Sequence, residues 1–262
     1  MKSADLVSIF EDTQSTIRAN EVLNISTQAS IEKNKMYYSA FFTQERKIKS
    51  LEINVQIIEG SSFDVARTFA NGKVAVLNFA NPHEPGGGVK RGARAQEECL
   101  CRCSNLYNVL ATEDMAQFYY QWHKQNTNYL FSDRVIYSPD IHIIKSDDYQ
   151  LLVSPFSVDV ITCAAPYNVY GFDRELLKST YESRITNILE AAIDNDVDTI
   201  VLGAFGCGVF HNPPELMAEA FKEILINKGY YKFFENVVFA IINANNRFDR
   251  NFAIFQEIFE SN

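Results

Sequence analysis

The chain has 262 residues, of which 47% are hydrophobic and 22% charged, and its formal net charge is −9. This composition is that of a globular protein, and the acidic balance argues against direct binding of duplex nucleic acid, which depends on Lys and Arg. No apolar run approaches the ~20 residues that a membrane-spanning helix needs, and the N-terminus shows no secretory signal, so no membrane association is expected.

Residues 1–48 are polar, with scattered apolar positions at near-helical spacing, which predicts an N-terminal helical extension of one or two helices. From residue 49 to 262 the pattern predicts one domain in which apolar strands alternate with amphipathic helices. The predicted strands are Leu51–Ile58, Val74–Phe79, Arg134–Tyr137 paired with Ile141–Lys145 across Pro139, Val158–Ala165, Thr199–Phe205 and Val237–Ile242. The predicted helices cover a segment after a Ser62 cap, then 100–110, 115–122, 173–194, 214–226 and 252–259. This alternation predicts an α/β fold with a mixed sheet between helical layers.

Three polar segments follow predicted strands: residues 78–98, 164–171 and 203–212. Because ligands of α/β proteins bind beyond the carboxyl ends of strands, we expect the three segments to form a single pocket.

The first segment contains Gly86, Gly87 and Gly88, and after seven further residues Gln96, Glu97 and Glu98. Three successive glycines remove every Cβ, so that a ligand can approach bare backbone amides. Two adjacent glutamates alone are typical of a solvated helix start. Behind a glycine loop they indicate instead an acid delivered to a bound polar ligand.

The second glycine-rich segment runs from Gly203 to Phe210 and leads into a predicted helix with Asn212 as N-cap and Pro213 as its first residue. A helix N-terminus binds anionic oxygens readily. The segment is not a Walker A loop, because it lacks the Lys-Ser/Thr ending. The alternative to a binding loop is a tight strand-to-helix turn that binds nothing.

The segment 78–98 resembles the signature of the bacterial-type poly(ADP-ribose) glycohydrolases, a catalytic branch of the macrodomain superfamily, which is GGG, six to eight residues, then QEE. The second loop is similar to the macrodomain phosphate loop GxxGxGVF, and Ala164-Ala165-Pro166 is similar to an AAP segment of bacterial-type members. The resemblance implies a three-layer α/β/α macrodomain that hydrolyses the ribose–ribose bonds of poly(ADP-ribose), from chain ends, without metal or cofactor.

By the same resemblance, Glu98 is the catalytic acid/base, Glu97 positions the ribose hydroxyls or the scissile linkage, and Gln96 supports them. An acid is needed because an alkoxide leaves poorly. A neighbouring carboxylate and burial raise the pKa of such a glutamate, whereas the helix N-terminus lowers it, so the net direction stays open. Asn81 would bind a distal ribose hydroxyl, and Phe210 would pack against that ribose. The remaining predicted binding residues are Gly86, Gly87, Gly88, Gly206, Cys207, Gly208 and Val209.

Other residues carry weaker expectations. Asn243, Asn245 and Asn246 follow the last strand and are candidates for contact with the adenine or its ribose, whereas Asn78 is expected only to satisfy loop backbone groups. Cys99, Cys101 and Cys103 do not match zinc spacing. Five cysteines without a disulfide framework favour a cytoplasmic location, or a nuclear one in a eukaryote.

Alternative functions use nearly the same pocket. The expected partner is ADP-ribose, poly(ADP-ribose) or an ADP-ribosylated protein, bound by a monomer. The alternatives are hydrolysis of mono-ADP-ribosylated proteins or nucleic acids or of acyl-ADP-ribose, a non-catalytic ADP-ribose reader, and an unrelated α/β protein with a structural glycine loop.

Overall fold

The computed structural model describes residues 1–39, 41–44, 46–69, 71–242 and 250–260. The seven strands of its sheet are β1 (Lys35–Tyr37), β2 (Val55–Glu59), β3 (Val74–Phe79), β4 (Val135–Lys145), β5 (Leu151–Cys163), β6 (Thr199–Leu202) and β7 (Asn236–Ile241). The helices are α1 (Ser3–Ala19), α2 (Glu21–Glu32), α3 (Ser62–Arg67), α4 (Gln96–Cys103), α5 (Leu106–Leu110), α6 (Glu113–Met115), α7 (Trp122–Gln125), α8 (Arg174–Asp194), α9 (Pro214–Lys222) and α10 (Asn251–Glu260). Short 3₁₀ turns cover Val89–Arg91 and Tyr230–Phe233, and π-helical turns cover Ala116–Gln121 and Glu223–Asn227.

The sheet has the order β1-β4-β5-β3-β6-β7-β2. The five strands β5, β3, β6, β7 and β2 are parallel, and β4 and β1 join one edge in antiparallel pairing. β3 lies at the centre, paired with β5 and with β6, and its residues from Val74 to Asn78 are buried. A nearly continuous apolar run is what a strand covered on both faces requires.

Two hydrophobic clusters cover the two faces of the sheet. One contains residues of α8, α9 and α10, and the other contains residues of α1, α3, α4 and α5. The predicted three-layer α/β/α arrangement with a mixed sheet is therefore confirmed. Within the described residues, no helix is long and apolar enough to cross a bilayer.

The N-terminal segment is helical over α1 and α2, but it also supplies the edge strand β1, whose Met36 pairs with Ile136. The buried Thr13 hydroxyl of α1 donates to the Arg102 carbonyl of α4 at 2.6 Å. The Arg94 guanidinium donates to the Met1 carbonyl, which ties the start of the chain to the loop before α4. We therefore propose that residues 1–48 are part of one cooperative unit with residues 49–262, rather than an appended extension.

Several sequence predictions of local structure were wrong. Residues 134–145 do not form two short paired strands, because β4 passes through Pro139 with a bulge and pairs with β5. The predicted helix over 100–110 is interrupted between α4 and α5 by Ser104, whose backbone leaves the helical region. β3 is confirmed with its predicted bounds, and α8 begins after its Asp173 cap. By contrast, β2 begins four residues later than predicted, β5 begins seven residues earlier, and α3 is capped by Ser61 rather than by Ser62.

Candidate active site

The chain leaves β3 at Phe79, forms a loop, and returns as α4, and the side chain of Gln96 closes this loop. Its Oε1 accepts a hydrogen bond from the Phe79 N–H at 2.9 Å, and its Nε2 donates to the Leu77 carbonyl at 2.8 Å and to the Ser62 hydroxyl at 3.0 Å. One amide therefore docks the first turn of α4 on the end of β3.

Glu97 is 2% exposed, and both of its carboxylate oxygens are held by the protein. Oε2 accepts from the Asn81 N–H at 2.7 Å, and Oε1 accepts from the Gly86 N–H at 3.2 Å and from Asn78 Nδ2 at 3.3 Å. Burial raises the pKa of Glu97 to about 8, although the Asn81 N–H acts in the opposite direction. Glu97 thus fixes the loop from inside.

Glu98 is 7% exposed and is held through one oxygen only. Its Oε1 accepts from the Gly88 N–H at 2.8 Å, whereas its Oε2 is buried with no hydrogen-bond partner among the described residues. A buried carboxylate oxygen without a partner is costly. Glu98 therefore differs from Glu97, whose two oxygens are both held by protein donors.

The three glycines make room for these carboxylates. Gly87 has φ +55°, and a Cβ added to it would lie 2.6 Å from Glu98 Oε1 and 3.2 Å from Glu97 Oε2. The loop therefore folds against the two glutamates so closely that no side chain fits at this position.

The loop starts with an Asx-type turn at Asn81. Its Oδ1 accepts from the N–H groups of His83 and Glu84 at 2.8 and 3.0 Å. The side-chain oxygen of Asn81 is therefore used within the loop.

The second glycine loop follows β6, and the Asn212 side chain holds this loop instead of capping the helix that follows it. Asn212 Nδ2 donates to the carbonyls of Pro166 and Gly206 at 2.8 and 3.0 Å, and its Oδ1 accepts from the Tyr181 hydroxyl at 2.6 Å. The predicted N-cap was wrong by one residue, since Pro213 occupies that position and Pro214 begins α9. Gly206, at φ +73°, lies against Ala165 and Asn212, so a side chain there would overlap with both.

A cleft of about 490 Å³ lies between the second glycine loop and the residues around the start of α4, at the carboxyl ends of β2, β3, β6 and β7. This volume is in the range of small-molecule sites. Five of the predicted site residues line the cleft, namely Gln96, Gly206, Gly208, Val209 and Phe210. The two glutamates and the three glycines are buried beside it, on the same first turn of α4 as Gln96 and in the loop that covers that turn.

The catalytic domain of the microbial-type poly(ADP-ribose) glycohydrolases (PARG) matches residues 3–146, which is more than half of the chain. The chain belongs to this family. Among solved structures, a PARG from Thermomonospora curvata is 27% identical, covers 98% of this chain and 100% of its own, and has a TM-score of 0.85. A PARG from Deinococcus radiodurans in complex with ADP-ribose is 31% identical, with 90% of this chain and 97% of that chain covered and a TM-score of 0.79. Curated proteins gave no match.

The microbial-type PARG match includes α1, α2 and the whole segment from Gly86 to Glu98. The predicted roles of individual site residues stay predictions, although the structure brings both glycine loops and the QEE triplet to one edge of the sheet. Asn243, Asn245 and Asn246 lie outside the described residues. Cys207 and Asn81 do not line the cleft as it is formed by the described residues.

Sequence reasoning missed three supporting residues of this PARG site. Asn78 contacts Glu97 and also donates to the Thr162 hydroxyl at 3.2 Å, although it was expected to serve only the loop backbone. Ser62 holds Gln96, and Asn212 holds the second loop. An asparagine inside an apolar strand was the one available signal, because a buried amide must find polar partners.

Proposed function

We propose that the chain is a poly(ADP-ribose) glycohydrolase that cleaves ribose–ribose O-glycosidic bonds and releases ADP-ribose, with Glu98 as the catalytic acid/base. The observation that carries this assignment is the difference between the two glutamates. Glu97 uses both oxygens on protein donors, whereas Glu98 keeps Oε2 without a partner among the described residues. A general acid needs an oxygen that is left for its substrate.

Membership of the family supports the substrate class. The Thermomonospora PARG has been solved with the inhibitor ADP-HPD, and the Deinococcus PARG with ADP-ribose. The cleft offers the backbone of Gly206 and Gly208, just before the N-terminus of α9, to a diphosphate. Phe210 stands at the outer end of the same loop, where the distal ribose would pack.

In the proposed reaction, the Glu98 carboxyl gives its proton to the leaving ribose oxygen as the glycosidic C–O bond breaks. Positive charge then develops on the distal ribose ring, and the nearby diphosphate of the substrate stabilises it. The Glu98 carboxylate next takes a proton from a water molecule, whose oxygen bonds to the anomeric carbon. Glu98 ends protonated, as it began, and no covalent enzyme intermediate is formed.

Glu97 acts as a positioning residue in this scheme. Its three hydrogen bonds join β3, Asn81 and Gly86, and so set the loop whose Gly88 N–H holds Glu98. Gln96 fixes the position of α4, the helix that carries both glutamates, relative to the end of β3.

The test is release of ADP-ribose from automodified poly(ADP-ribose), read by mass, with the variants Glu98→Gln and Glu84→Gln. Glu84 lies in the same loop but pairs with Arg91 at the surface, so its variant is a matched control. We expect Glu98→Gln to lose at least about 100-fold in kcat while ADP-ribose affinity by calorimetry is kept, and Glu84→Gln to stay near wild type.

Full activity of Glu98→Gln would refute the assignment. ADP-ribose binding without release from polymer by the wild type would favour a mono-ADP-ribosyl hydrolase or a reader. The same assay tests cleavage from chain ends, which predicts single ADP-ribose units rather than oligomers. A cytoplasmic location and a monomeric state stay predictions.

A further inference from the structure

Three tyrosines extend from Phe210 out to the solvent, and we call Tyr129, Tyr167 and Tyr170 the tyrosine platform. The Tyr167 ring lies 5.4 Å from the Phe210 ring, the Tyr129 ring 5.9 Å from Tyr167, and the Tyr170 ring 5.0 Å from Tyr129. Tyr129 is 45% exposed and Tyr170 is 70% exposed. Exposed aromatic side chains that form a contiguous surface mark a binding site more often than scattered ones do.

The two loops that carry the platform are fixed to the second glycine loop and to each other. The Tyr167 N–H donates to the Tyr129 carbonyl at 2.7 Å, and the Asn168 N–H donates to the Phe210 carbonyl at 2.8 Å. The Tyr170 hydroxyl lies 3.5 Å from the Tyr129 hydroxyl.

The buried Arg184 of α8 supports both loops from below. It donates to the Ala164 carbonyl at 2.5 Å and to the Leu130 carbonyl at 2.9 Å, and it pairs with Asp133 at 2.9 Å. The exposed rings therefore stand on a rigid base, and a ligand that stacks on them finds an ordered surface.

The position of the platform indicates what it binds. In poly(ADP-ribose), the scissile bond joins the distal ribose of one unit to the adenosine ribose of the next unit. If the distal ribose packs on Phe210, the adenine of the leaving unit is one ribose further along the substrate, and the platform begins 5.4 Å from the Phe210 ring, at Tyr167. Purine bases stack on aromatic side chains, which contributes about 1–3 kcal/mol per base.

The charge of the platform agrees with a base rather than a phosphate. The tyrosines and the neighbouring Val169 offer apolar and hydroxyl surface. A neutral purine needs no cation, whereas a diphosphate on an exposed surface would call for Lys or Arg.

We propose that the tyrosine platform binds the adenine of the leaving ADP-ribose unit and thereby favours polymer over substrates that lack a base beyond the scissile bond. This inference rests on the proposed glycohydrolase function. It adds a specificity-determining surface that lies outside the cleft. The cleft holds the ADP-ribose unit whose glycosidic bond is cleaved, and the platform holds the adenine on the other side of that bond.

The experiment compares two synthetic substrates with the same ribose–ribose bond, in which ADP-ribose is joined either to the 2′-hydroxyl of adenosine or to ribose alone. The double variant Tyr129→Ala/Tyr170→Ala should lower the ratio of kcat/KM for the adenosine-linked over the ribose-linked substrate by about fivefold, the lower end of the stacking range. Tyr129→Phe/Tyr170→Phe, which keeps both rings, should restore the ratio. Phe42→Ala is the control, because Phe42 is 58% exposed and lines a surface depression together with Val197, which precedes β6 and so lies at the amino ends of the parallel strands.

An unchanged ratio in the double alanine variant would overturn the proposal, because the rings would then act only on folding or on the cleft. A loss confined to ADP-ribosylated protein substrates would overturn it as well, since a protein partner would then occupy the rings. Cleavage of neither substrate by the wild type would instead refute the glycohydrolase function itself, and the two failures are therefore distinguishable.

Discussion

Gly87→Ala tests the close packing between the glycine loop and the two glutamates. The added Cβ would lie 2.6 Å from Glu98 Oε1, and ordinary contact begins at 3.4 Å, so the oxygen must move by about 0.8 Å. That movement also strains the 2.8 Å bond from the Gly88 N–H. Because a misplacement of about 1 Å can cost about 100-fold in rate, we expect kcat to fall by about that factor.

A matched variant, Gly229→Ala, separates the cost of placing alanine in the left-handed backbone region from the effect of the overlap with Glu98. Gly87 has φ +55°, where alanine costs about 1–2 kcal/mol. Gly229, at φ +76°, carries the same cost, but its added Cβ meets only the flexible Lys232 side chain, at 3.6 Å or more. Both variants should melt at a lowered temperature, Gly87→Ala by at least as much as Gly229→Ala because of the added overlap, while kcat for ADP-ribose release falls only in Gly87→Ala. If Gly87→Ala retains a kcat within about threefold of Gly229→Ala, the glycine does not set the position of the acid.

Three further variants test the rest of the structure. Burial raises the pKa of Glu97 from its ordinary 4.5 to about 8, so between these pH values the folded chain holds a proton that the unfolded chain has lost. The free energy of unfolding should therefore fall as the pH rises from 4.5 to about 8. This pH dependence should disappear in Glu97→Gln, as measured by urea denaturation. Gly206→Ala, which overlaps with Ala165 and Asn212, should weaken ADP-ribose binding at least about tenfold by calorimetry, and an unchanged Kd would remove the second loop from the site. Thr13→Val should cost about 1 kcal/mol of unfolding free energy in a single transition; two separate transitions would show an independent N-terminal extension.

The fold was predictable where a strand or helix is determined by its own residues. β3 is apolar at nearly every position because both of its faces are covered, and its bounds were predicted correctly. β4 was not, because Pro139 indicated an end to the strand. The structure accommodates the proline by a bulge in which Asp140 has φ +54° and donates its N–H to Asp159 of β5 at 2.9 Å. A bulge held by a neighbouring strand cannot be seen in a local pattern.

The site was predictable as a set of residues but not as an arrangement. The spacing of Gly86–Gly88 and Glu97 and Glu98 identified the segment, yet the glycines were expected to leave room for a ligand. In the structure, the space beside Gly87 is filled by the carboxylates of Glu97 and Glu98. Asn78 and Glu97 meet across 19 positions of the chain, and such contacts depend on how the loop closes rather than on any periodicity.

The two hydrogen bonds from Gln96 to β3 also explain how two neighbouring parallel strands, β3 and β6, can separate at the centre of the sheet. β3 and β6 are paired only from Val74 and Thr199 to Val76 and Val201, and beyond that point the Leu77 carbonyl and the Phe79 N–H still face the β6 side. The amide of Gln96 occupies the two hydrogen-bonding positions that another residue of β6 would have filled. Gln96 thus satisfies these two backbone groups of β3 and fixes α4 against the sheet. Glu98 lies two residues further along the same helix, so its position depends on where Gln96 binds the strand rather than on the length of a loop.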